Sequence, residues 1–434
     1  MLIINQNVRI TKLYNSKRYR ISIPSVTSKL WDVGKDTVEL LRKINSAQYN
    51  TIDELEKEIP RFVIKDLIDK HIIVEAESHY YNTNILPEIK CEYPLTSLVI
   101  ELTNICNLNC IHCYGKFGTP RKKKIISLDD VINLKSELDR LHTMEVRLSG
   151  GECFLNPDFE DIAIFFLQNG FRVGIYTNGV ETQKIKSFLE RTRGYHFYVA
   201  ISLDGEENYH NIIRGNERAF ANTIATMKEL KKYENVEVLV ETAISKINIH
   251  NVKAVETMVR SEFPKFEHMM FLISPVKGCS VSFGYEDITK MKKICDNVFE
   301  DYYSKLSDRY LFKHKSFRCH GGVINGVLTS DGNVKCCPIA EDEIFIMGNI
   351  KERALSSIWE HPEGDTLNFR KEFAKSSPQC KRCIYKRKCG NKNCRVEAKL
   401  LTGDWRNANP YTCMAVKGKY NIKENLDEKL QKNS

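Results

Sequence analysis

From about residue 92 onward, short apolar runs alternate with longer segments in which apolar residues recur every three or four positions. The short runs are typical of buried β-strands, and the longer segments are typical of amphipathic helices. Strands that alternate with helices predict an α/β sheet or partial barrel that binds ligands at the carboxyl ends of its strands. Six strands are predicted, at 97–103, 145–150, 172–178, 197–204, 236–244 and 268–274.

The first 85 residues have a different pattern. Two β-rich runs, at 8–14 and 17–23, flank a turn pair and predict a hairpin. Helix-like periodicity follows three times, and Thr51 and Glu54 fit a capping box at the start of the second helix. A short strand ends this part of the chain. A hairpin with three helices predicts a winged-helix-like module.

Periodicity weakens between about 311 and 420, where Cys, Lys and Gly are abundant. Such a segment gains little from apolar burial, and we expect metal ligation to contribute to its folding. The last residues are polar and predict a loose tail. The predicted domains are therefore 1–85, 92–310 and 311–420, followed by the tail at 421–434.

Composition narrows the class of protein. A chain of 434 residues with 42% hydrophobic and 28% charged residues is typical of a globular protein. We find neither an apolar stretch of bilayer length nor a signal peptide, and we predict a cytoplasmic protein without membrane contact. Fifteen cysteines in a reducing compartment indicate metal or redox chemistry rather than disulfides.

The net charge of +9 does not indicate nucleic-acid binding, because basic and acidic residues are interspersed over most of the chain. In the first 85 residues, thirteen Lys or Arg face eleven Asp or Glu, and no basic helix stands out. We therefore do not expect the predicted winged-helix-like module to bind DNA.

The segment CNLNCIHC places Cys106, Cys110 and Cys113 in a Cys-x3-Cys-x2-Cys array. A structural zinc site needs four ligands, and His112 lies too tightly between two of the thiols to complete it comfortably. An iron-sulfur cluster held by three thiolates would leave one iron open to a substrate or cofactor. On these eight residues alone, both metals remain open.

Four further motifs follow the array in order, each near the end of a predicted strand or in the helix after it. They are SGGE at Ser149–Glu152, TNG at Thr177–Gly179, SLDG at Ser202–Gly205, and NIIRG, which contains Arg214. Together with the cysteine array, in which His112 fills an aromatic position, these motifs resemble the radical S-adenosylmethionine (SAM) enzymes over residues 92 to 280. The resemblance implies a partial (β/α)6 barrel.

The resemblance also implies site roles. Cys106, Cys110 and Cys113 would hold a 4Fe-4S cluster whose open iron is chelated by SAM, and electron transfer would cleave SAM to a 5'-deoxyadenosyl radical. The expected SAM-binding residues are Gly150, Gly151 and Glu152 for the methionine amino group, Arg214 for its carboxylate, Asn178 and Ser202 for ribose or adenine, and His112. Structural alternatives are a simple turn at Asn178 and a helix-start anion at Glu152. No side chain is assigned a catalytic role.

A second group of cysteines resembles the SPASM extension of this superfamily. The resemblance implies two auxiliary 4Fe-4S clusters, one on Cys380, Cys383, Cys389 and Cys413, and one on Cys319, Cys337 and Cys394. Cys336 is a candidate fourth ligand of the second set, and the spacing of Cys389 and Cys394 is one residue longer than usual. A pair of zinc knuckles is the alternative. We expect Cys91, Cys153 and Cys295 to be buried or incidental thiols, and we do not expect Cys279 to contact substrate.

The front module resembles the peptide-recognition element of pathways for ribosomally synthesised and post-translationally modified peptides (RiPPs), which takes a leader peptide as an added strand. Module, barrel and SPASM region together resemble a RiPP maturase. The expected reaction is hydrogen abstraction from a precursor peptide and formation of an intramolecular thioether, ether or carbon-carbon crosslink. Expected partners are that precursor and a low-potential electron donor such as flavodoxin or ferredoxin. The alternatives are an anaerobic sulfatase-maturating enzyme and, in a different class, a metal-stabilised DNA-binding regulator.

Overall fold

The computed structural model describes most of the chain up to residue 273 and separate parts of the remainder. The described residues are 1–13, 16–85, 91–118, 122–273, 281–282, 321–340, 343–372, 377–384, 394–410 and 412–413. Within these ranges, no helix combines the length and apolarity needed to cross a bilayer.

The front module contains five strands and three helices. They are β1 (Leu2–Ile4), β2 (Arg9–Lys12), β3 (Tyr19–Ile23), β4 (Thr27–Val33), α1 (Lys35–Asn45), α2 (Ile52–Glu56), α3 (Arg61–Asp69) and β5 (Ile73–Glu75). Strands β2 and β3 form the predicted hairpin, β4 extends it to an antiparallel sheet, and β1 pairs with β5. Apolar side chains from both the strands and the helices form one core. The winged-helix description remains a prediction.

The capping box predicted at α2 is formed only in part. The Thr51 hydroxyl accepts a hydrogen bond from the backbone N–H of Glu54, as expected for an N-cap. The Glu54 carboxylate accepts instead from the N–H of Asn50, one residue before the cap. The helix start is therefore satisfied, but the reciprocal bond goes to a different donor.

All six predicted barrel strands are present. They are β6 (Ser97–Glu101), β7 (Glu145–Ser149), β8 (Arg172–Thr177), β9 (Phe197–Ser202), β10 (Val236–Ile244) and β11 (Glu267–Leu272), paired in parallel and in chain order. The helices between them are α4 (Leu128–Arg140), α5 (Phe159–Gln168), α6 (Thr182–Arg191), α7 (Glu207–Arg214), α8 (Ala219–Leu230) and α9 (Val252–Glu262).

The two faces of this sheet differ in chemistry, because successive side chains of a strand point to opposite sides. One face carries Leu98 and Val146 into the apolar core shared with the helices. The other face, which we call the inner face, carries Ser97 and Glu145, whose side chains bond to each other at 2.8 Å. The inner face is therefore polar, and its end at the carboxyl termini of the strands receives the motif residues.

The chain after residue 320 extends the same sheet. Strand β12 (Asn325–Leu328) pairs in parallel with β6, and β13 (Asn333–Lys335) and β14 (Ile346–Asn349) follow it antiparallel. The helices of this part are α10 (Leu355–Glu360), α11 (Thr366–Glu372), α12 (Pro378–Lys381) and α13 (Arg395–Thr402). Trp359 is fully buried in the barrel core. This part of the chain thus shares the core of the barrel. From the sequence we expected weak apolar burial here, with metal ligation to compensate for it.

The front module packs against the loops that precede the barrel strands. The Arg9 guanidinium forms a buried ion pair with Asp139 at 2.7 Å and donates to the Thr143 carbonyl at 2.6 Å. The Ser22 hydroxyl donates to the carbonyl of Gly170 at 2.8 Å. Thr143 and Gly170 precede β7 and β8, so the module lies at the amino ends of the strands, opposite to the motif residues.

Candidate active site

The three-cysteine loop follows β6 directly. Cys106, Cys110 and Cys113 are all partly buried, and the N–H of Cys113 donates to the carbonyl of Cys110 at 3.1 Å. Burial raises the pKa of Cys106 to about 12, and the neighbouring Cys110 and Cys113 add to this effect. Metal binding would have to overcome the free-energy cost of deprotonating Cys106, because the thiolate is the form that binds metal.

A zinc ion and an iron-sulfur cluster require different distances between the thiols that bind them. Within the described ranges, no three His, Cys, Asp or Glu side chains converge tightly enough to surround one metal ion. A tetrahedral zinc ion with Zn–S bonds of about 2.3 Å brings its thiolates to within about 4 Å of one another. A cluster of four irons is larger and holds its thiolates farther apart. The cluster at this loop stays a prediction from the cysteine motif.

Two glycines after β7 allow the backbone to approach the cysteine loop. The N–H of Gly151 donates to the Thr103 carbonyl at 2.7 Å, and the N–H of Glu152 donates to the Ile105 carbonyl at 2.9 Å. A Cβ atom at Gly151 would lie 2.1 Å from the Ile105 oxygen, and one at Gly150, whose φ is +132°, would lie 2.3 Å from the Thr103 oxygen. Only glycine fits this approach, which positions the loop.

Glu152 joins this turn to the next strand. Its fully buried carboxylate accepts from the Thr177 hydroxyl and the Asn178 N–H, both at 2.8 Å. Burial raises the pKa of Glu152, while these hydrogen bonds act in the opposite direction. The carboxylate is thus directed toward its own chain. Its contact with the SAM amino group remains a prediction, and so do the contacts expected of Gly150 and Gly151.

Asn178 continues the connection back to the cysteine loop. Its amide nitrogen donates to Asn107 Oδ1 at 2.7 Å and lies 3.8 Å from the Cys106 sulfur. Its side-chain oxygen accepts from the N–H of Val180 at 2.9 Å, which stabilises the turn. Asn178 therefore does form a turn, and it also contacts the cysteine loop.

Arg214 approaches the loop from the end of α7. Its Nη1 atom lies 3.8 Å from the Cys110 sulfur, and its Nη2 atom lies 2.7 Å from a carboxylate oxygen of Asp204. Burial would lower the pKa of Arg214, but the Asp204 carboxylate outweighs this effect and raises it. Among the described residues, no group accepts a hydrogen bond from its buried Nε atom. This unpaired donor beside a cluster thiol fits an anionic ligand such as the SAM carboxylate.

His112 and Ser202 lie at the same end of the sheet. His112 Nε2 is 3.9 Å from Asp204, and burial lowers its pKa, which favours the neutral ring. Ser202 is partly buried and lies on the inner face, on the same side of β9 as Tyr198. Their roles toward SAM remain predictions.

Two acidic residues of the site were missed by sequence reasoning. Asp204 belongs to the SLDG motif but had no role, and Glu101 ends β6 on the inner face. Glu101 is 4% exposed and accepts a hydrogen bond from the Tyr114 hydroxyl at 3.1 Å. Burial raises the pKa of Glu101, although the positive charge of Lys335 acts to lower it. A charged residue that ends an otherwise apolar strand was the available signal.

The SPASM-like cysteines are described only in part. Cys337 and Cys394 pack against the same small core, and Cys336 is buried within it. Cys380 and Cys383 lie at α12, where the N–H of Cys383 donates to the Cys380 carbonyl at 3.4 Å. Cys413 is partly buried. The remaining predicted ligands, Cys319 and Cys389, lie outside the described residues.

Four other cysteines have no predicted role as cluster ligands. Cys153 is fully buried, as predicted, and Cys91 is partly buried. Cys279 and Cys295 lie outside the part of the chain that the structure describes.

The geometry agrees with comparisons to protein families. Residues 100–260 match the radical SAM superfamily, and residues 319–384 match the SPASM iron-sulfur cluster-binding domain. The chain therefore carries a radical SAM domain and a SPASM domain. These domains imply 4Fe-4S clusters and SAM as cofactors, which the thiols and the unpaired Arg214 donor fit.

Relatives of this chain have different substrates. It is 27% identical over 348 residues to the AdoMet-dependent heme synthase of Methanosarcina barkeri, covering 74% of this chain and 96% of that protein. It is 24% identical over 336 residues to the antilisterial bacteriocin subtilosin biosynthesis protein AlbA of Bacillus subtilis, covering 76% of this chain and 74% of AlbA.

A solved structure shares the fold over nearly the whole chain. The structure of Streptococcus suis SuiB bound to the precursor peptide SuiA matches with a TM-score of 0.62 and 13% identity. The match covers 95% of this chain and 100% of SuiB.

Proposed function

We propose that this chain is a radical SAM peptide maturase that abstracts hydrogen from a ribosomally made precursor and installs an intramolecular thioether, ether or carbon-carbon crosslink. The observation that carries the proposal is the front module. The fold shared with SuiB leaves only about one twentieth of the chain unmatched, so most of residues 1–85 must lie within the match. The relationship to AlbA, a bacteriocin biosynthesis protein, supports the same substrate class.

The free edge of the front sheet supports leader binding. Strand β2 is one edge of this sheet, and the side chain of its Arg9 is bonded to barrel residues. Strand β4 is the other edge; among the described strands it pairs only with β3, and its Lys29 and Asp32 are exposed. An unpaired edge strand offers backbone donors and acceptors to an extended peptide. The leader is proposed to add to β4, and the winged-helix-like description is part of this proposal.

The barrel end supports radical chemistry. When bound, SAM and the cluster would supply a 5'-deoxyadenosyl radical able to take a hydrogen atom from the peptide. The residues proposed to hold SAM are Gly150, Gly151, Glu152, Asn178, Ser202, Arg214 and His112. A new crosslink removes two hydrogens from the peptide; the second would leave as a proton and an electron, and an auxiliary cluster is proposed to accept the electron. Glu101, on the inner face, has the chemistry of a proton acceptor.

Anaerobic coexpression with short open reading frames that neighbour the gene tests this function. One of the encoded peptides is expected to lose about 2 Da by mass spectrometry, which is the mass of two hydrogens. No peptide modification together with turnover of a tetrapyrrole would refute the proposal. Both readouts are needed because the heme synthase relative makes a tetrapyrrole the second candidate substrate. That relationship leaves about a quarter of this chain unmatched.

Proline substitutions at Leu30 and Trp31 test leader docking on β4. Neighbouring residues of a strand direct their N–H groups to opposite edges, so one position faces β3 and the other faces the free edge. The substitution that faces β3 is expected to disrupt the module. The other is expected to preserve SAM cleavage and thermal stability but to abolish peptide modification. Normal modification by both variants would argue against docking on β4.

The domain boundaries proposed are 1–85, 92–310, 311–420 and a tail at 421–434. Cys319, Cys337 and Cys394 are proposed to hold one auxiliary cluster, and Cys380, Cys383, Cys389 and Cys413 the other. A flavodoxin or ferredoxin is proposed as the electron donor, in the cytoplasm.

A further inference from the structure

Asp204 is a buried carboxylate placed between the barrel and the cysteine loop. It is fully buried after β9, and its Oδ1 atom accepts from the N–H of Ala243 at 3.0 Å. Its backbone N–H donates to His210 Nδ1 at 3.1 Å, and its carbonyl accepts from Asn248 at 2.6 Å. Asp204 is thus held by the chain on several sides, and its position does not depend on a ligand.

The second oxygen of Asp204 lies against the Arg214 guanidinium. The Oδ2 atom forms the ion pair with Arg214 Nη2 at 2.7 Å, while Nη1 of the same group lies 3.8 Å from the Cys110 sulfur. The guanidinium is planar and rigid, so fixing one nitrogen restricts the other two. The remaining nitrogen, Nε, is buried, and none of the described groups accepts a hydrogen bond from it.

The charges of Asp204, Arg214 and the cysteine thiolates explain why Arg214 lies between the other two groups. Asp204 and the cluster thiolates are both negative, and two such groups in a buried site repel each other. Arg214 lies between them and compensates both. A buried guanidinium held in this way loses little conformational freedom when it also binds an anion. The ion pair therefore prepares Arg214 for a ligand before that ligand arrives.

We propose that Asp204 is a positioning residue that directs Arg214 toward the SAM carboxylate. Asp204 contacts neither SAM nor the peptide in this proposal and acts only through Arg214. The proposal rests on the SAM-binding role given to Arg214 under the proposed function. It does not depend on the peptide substrate, so a wrong substrate and a wrong role for Asp204 give different experimental results.

A double-mutant cycle on SAM binding tests the proposal. The anaerobically reconstituted full chain is prepared as wild type, Asp204→Asn, Arg214→Lys and the double variant. The dissociation constant for SAM is measured by equilibrium dialysis and by the SAM-induced change in the electron paramagnetic resonance signal of the reduced cluster. Each single variant is expected to bind SAM about tenfold more weakly. The double variant is expected to be no more than about twofold weaker than the worse single variant, because both changes remove the same interaction.

Glu206→Gln is the matched control. Glu206 lies two residues from Asp204, and its carboxylate bonds to Asn251 rather than to Arg214. This variant is expected to bind SAM within about twofold of wild type. If Asp204→Asn does not retain iron, Asp204→Glu replaces it, because it keeps the charge but displaces it. Unchanged SAM affinity in the tested Asp204 variant, or losses that multiply in the double variant, would overturn the proposal.

Discussion

Replacing Gly151 by Ala should disturb the turn that supports the cysteine loop. The Cβ of alanine would lie 2.1 Å from the Ile105 oxygen and 2.5 Å from its carbonyl carbon. These are backbone atoms, so no flexible side chain can move aside. Normal contacts between such atoms are longer than 3.0 Å. The turn and the loop must therefore separate by about 1 Å, which is the difference between these distances.

The cost of this separation can be estimated from overpacked cores. Extra methyl groups in well-packed sites typically destabilise proteins by about 1–3 kcal/mol. The hydrogen bonds from Gly151 to Thr103 and from Glu152 to Ile105 would also lengthen. Each is worth about 1 kcal/mol, and lengthening them without breaking them would forfeit about half of that, or about 1 kcal/mol for the two together. We therefore expect a loss of about 2–4 kcal/mol in the free energy of unfolding.

Urea unfolding under anaerobic conditions measures this loss, and SAM binding measures its effect on the site. Gly194→Ala is the control, because no atom lies within 4 Å of a Cβ built there. The control should change the free energy of unfolding by less than about 0.5 kcal/mol. If Gly151→Ala matches the control in stability and binds SAM normally, the close approach is not what requires glycine at this position.

Two further predictions concern buried charges. Burial opposes ionisation of Glu145, but Arg147 and Arg172 outweigh it and lower its pKa from 4.5 to about 2. The folded-state pKa of Glu145 is lower than its unfolded-state pKa, so the ionised carboxylate stabilises the folded protein by about 3 kcal/mol above pH 4.5. This stabilisation is lost as the pH falls toward 2. The stability gap between wild type and Glu145→Gln should narrow by about 2 kcal/mol between pH 7 and pH 3 in urea unfolding, and a constant gap would contradict the assignment. Arg9→Met removes the buried ion pair with Asp139, which keeps its second partner Lys135 at 2.7 Å, so it should destabilise the docked front module by about 1.5–3 kcal/mol and accelerate hydrogen exchange in residues 1–85. Unchanged exchange there would show that the ion pair does not anchor the module.

The barrel strands were predictable because each carries apolar residues into the core and most alternate with amphipathic helices along the chain. Strand β12 was missed, since its sequence NGVL is short and begins like a turn. Its pairing with β6 is a long-range contact that no local pattern encodes. Strand β4 was missed for a different reason. It is a half-exposed edge strand, and its sequence TSKLWDV lacks regular alternation.

The site was predictable as a set of motifs but not as a set of contacts. The order of the motifs indicated that Cys106, Glu152 and Arg214 would meet at one end of the sheet, and they do. The partners of Glu152 were not predictable, because they depend on how closely the glycine turn approaches the loop. Asp204 has no distinguishing local pattern, and only the ion pair with Arg214 shows where its charge acts.

SAM cleavage by the anaerobically reconstituted protein is the sharpest test of a radical SAM site on the three-cysteine loop. Bound iron and sulfide are expected, together with reductive cleavage of SAM to 5'-deoxyadenosine and methionine. Replacement of Cys106, Cys110 and Cys113 by Ala should abolish this cleavage. A protein that contains zinc instead of iron and leaves SAM intact, or a triple variant that still cleaves SAM, would contradict this prediction.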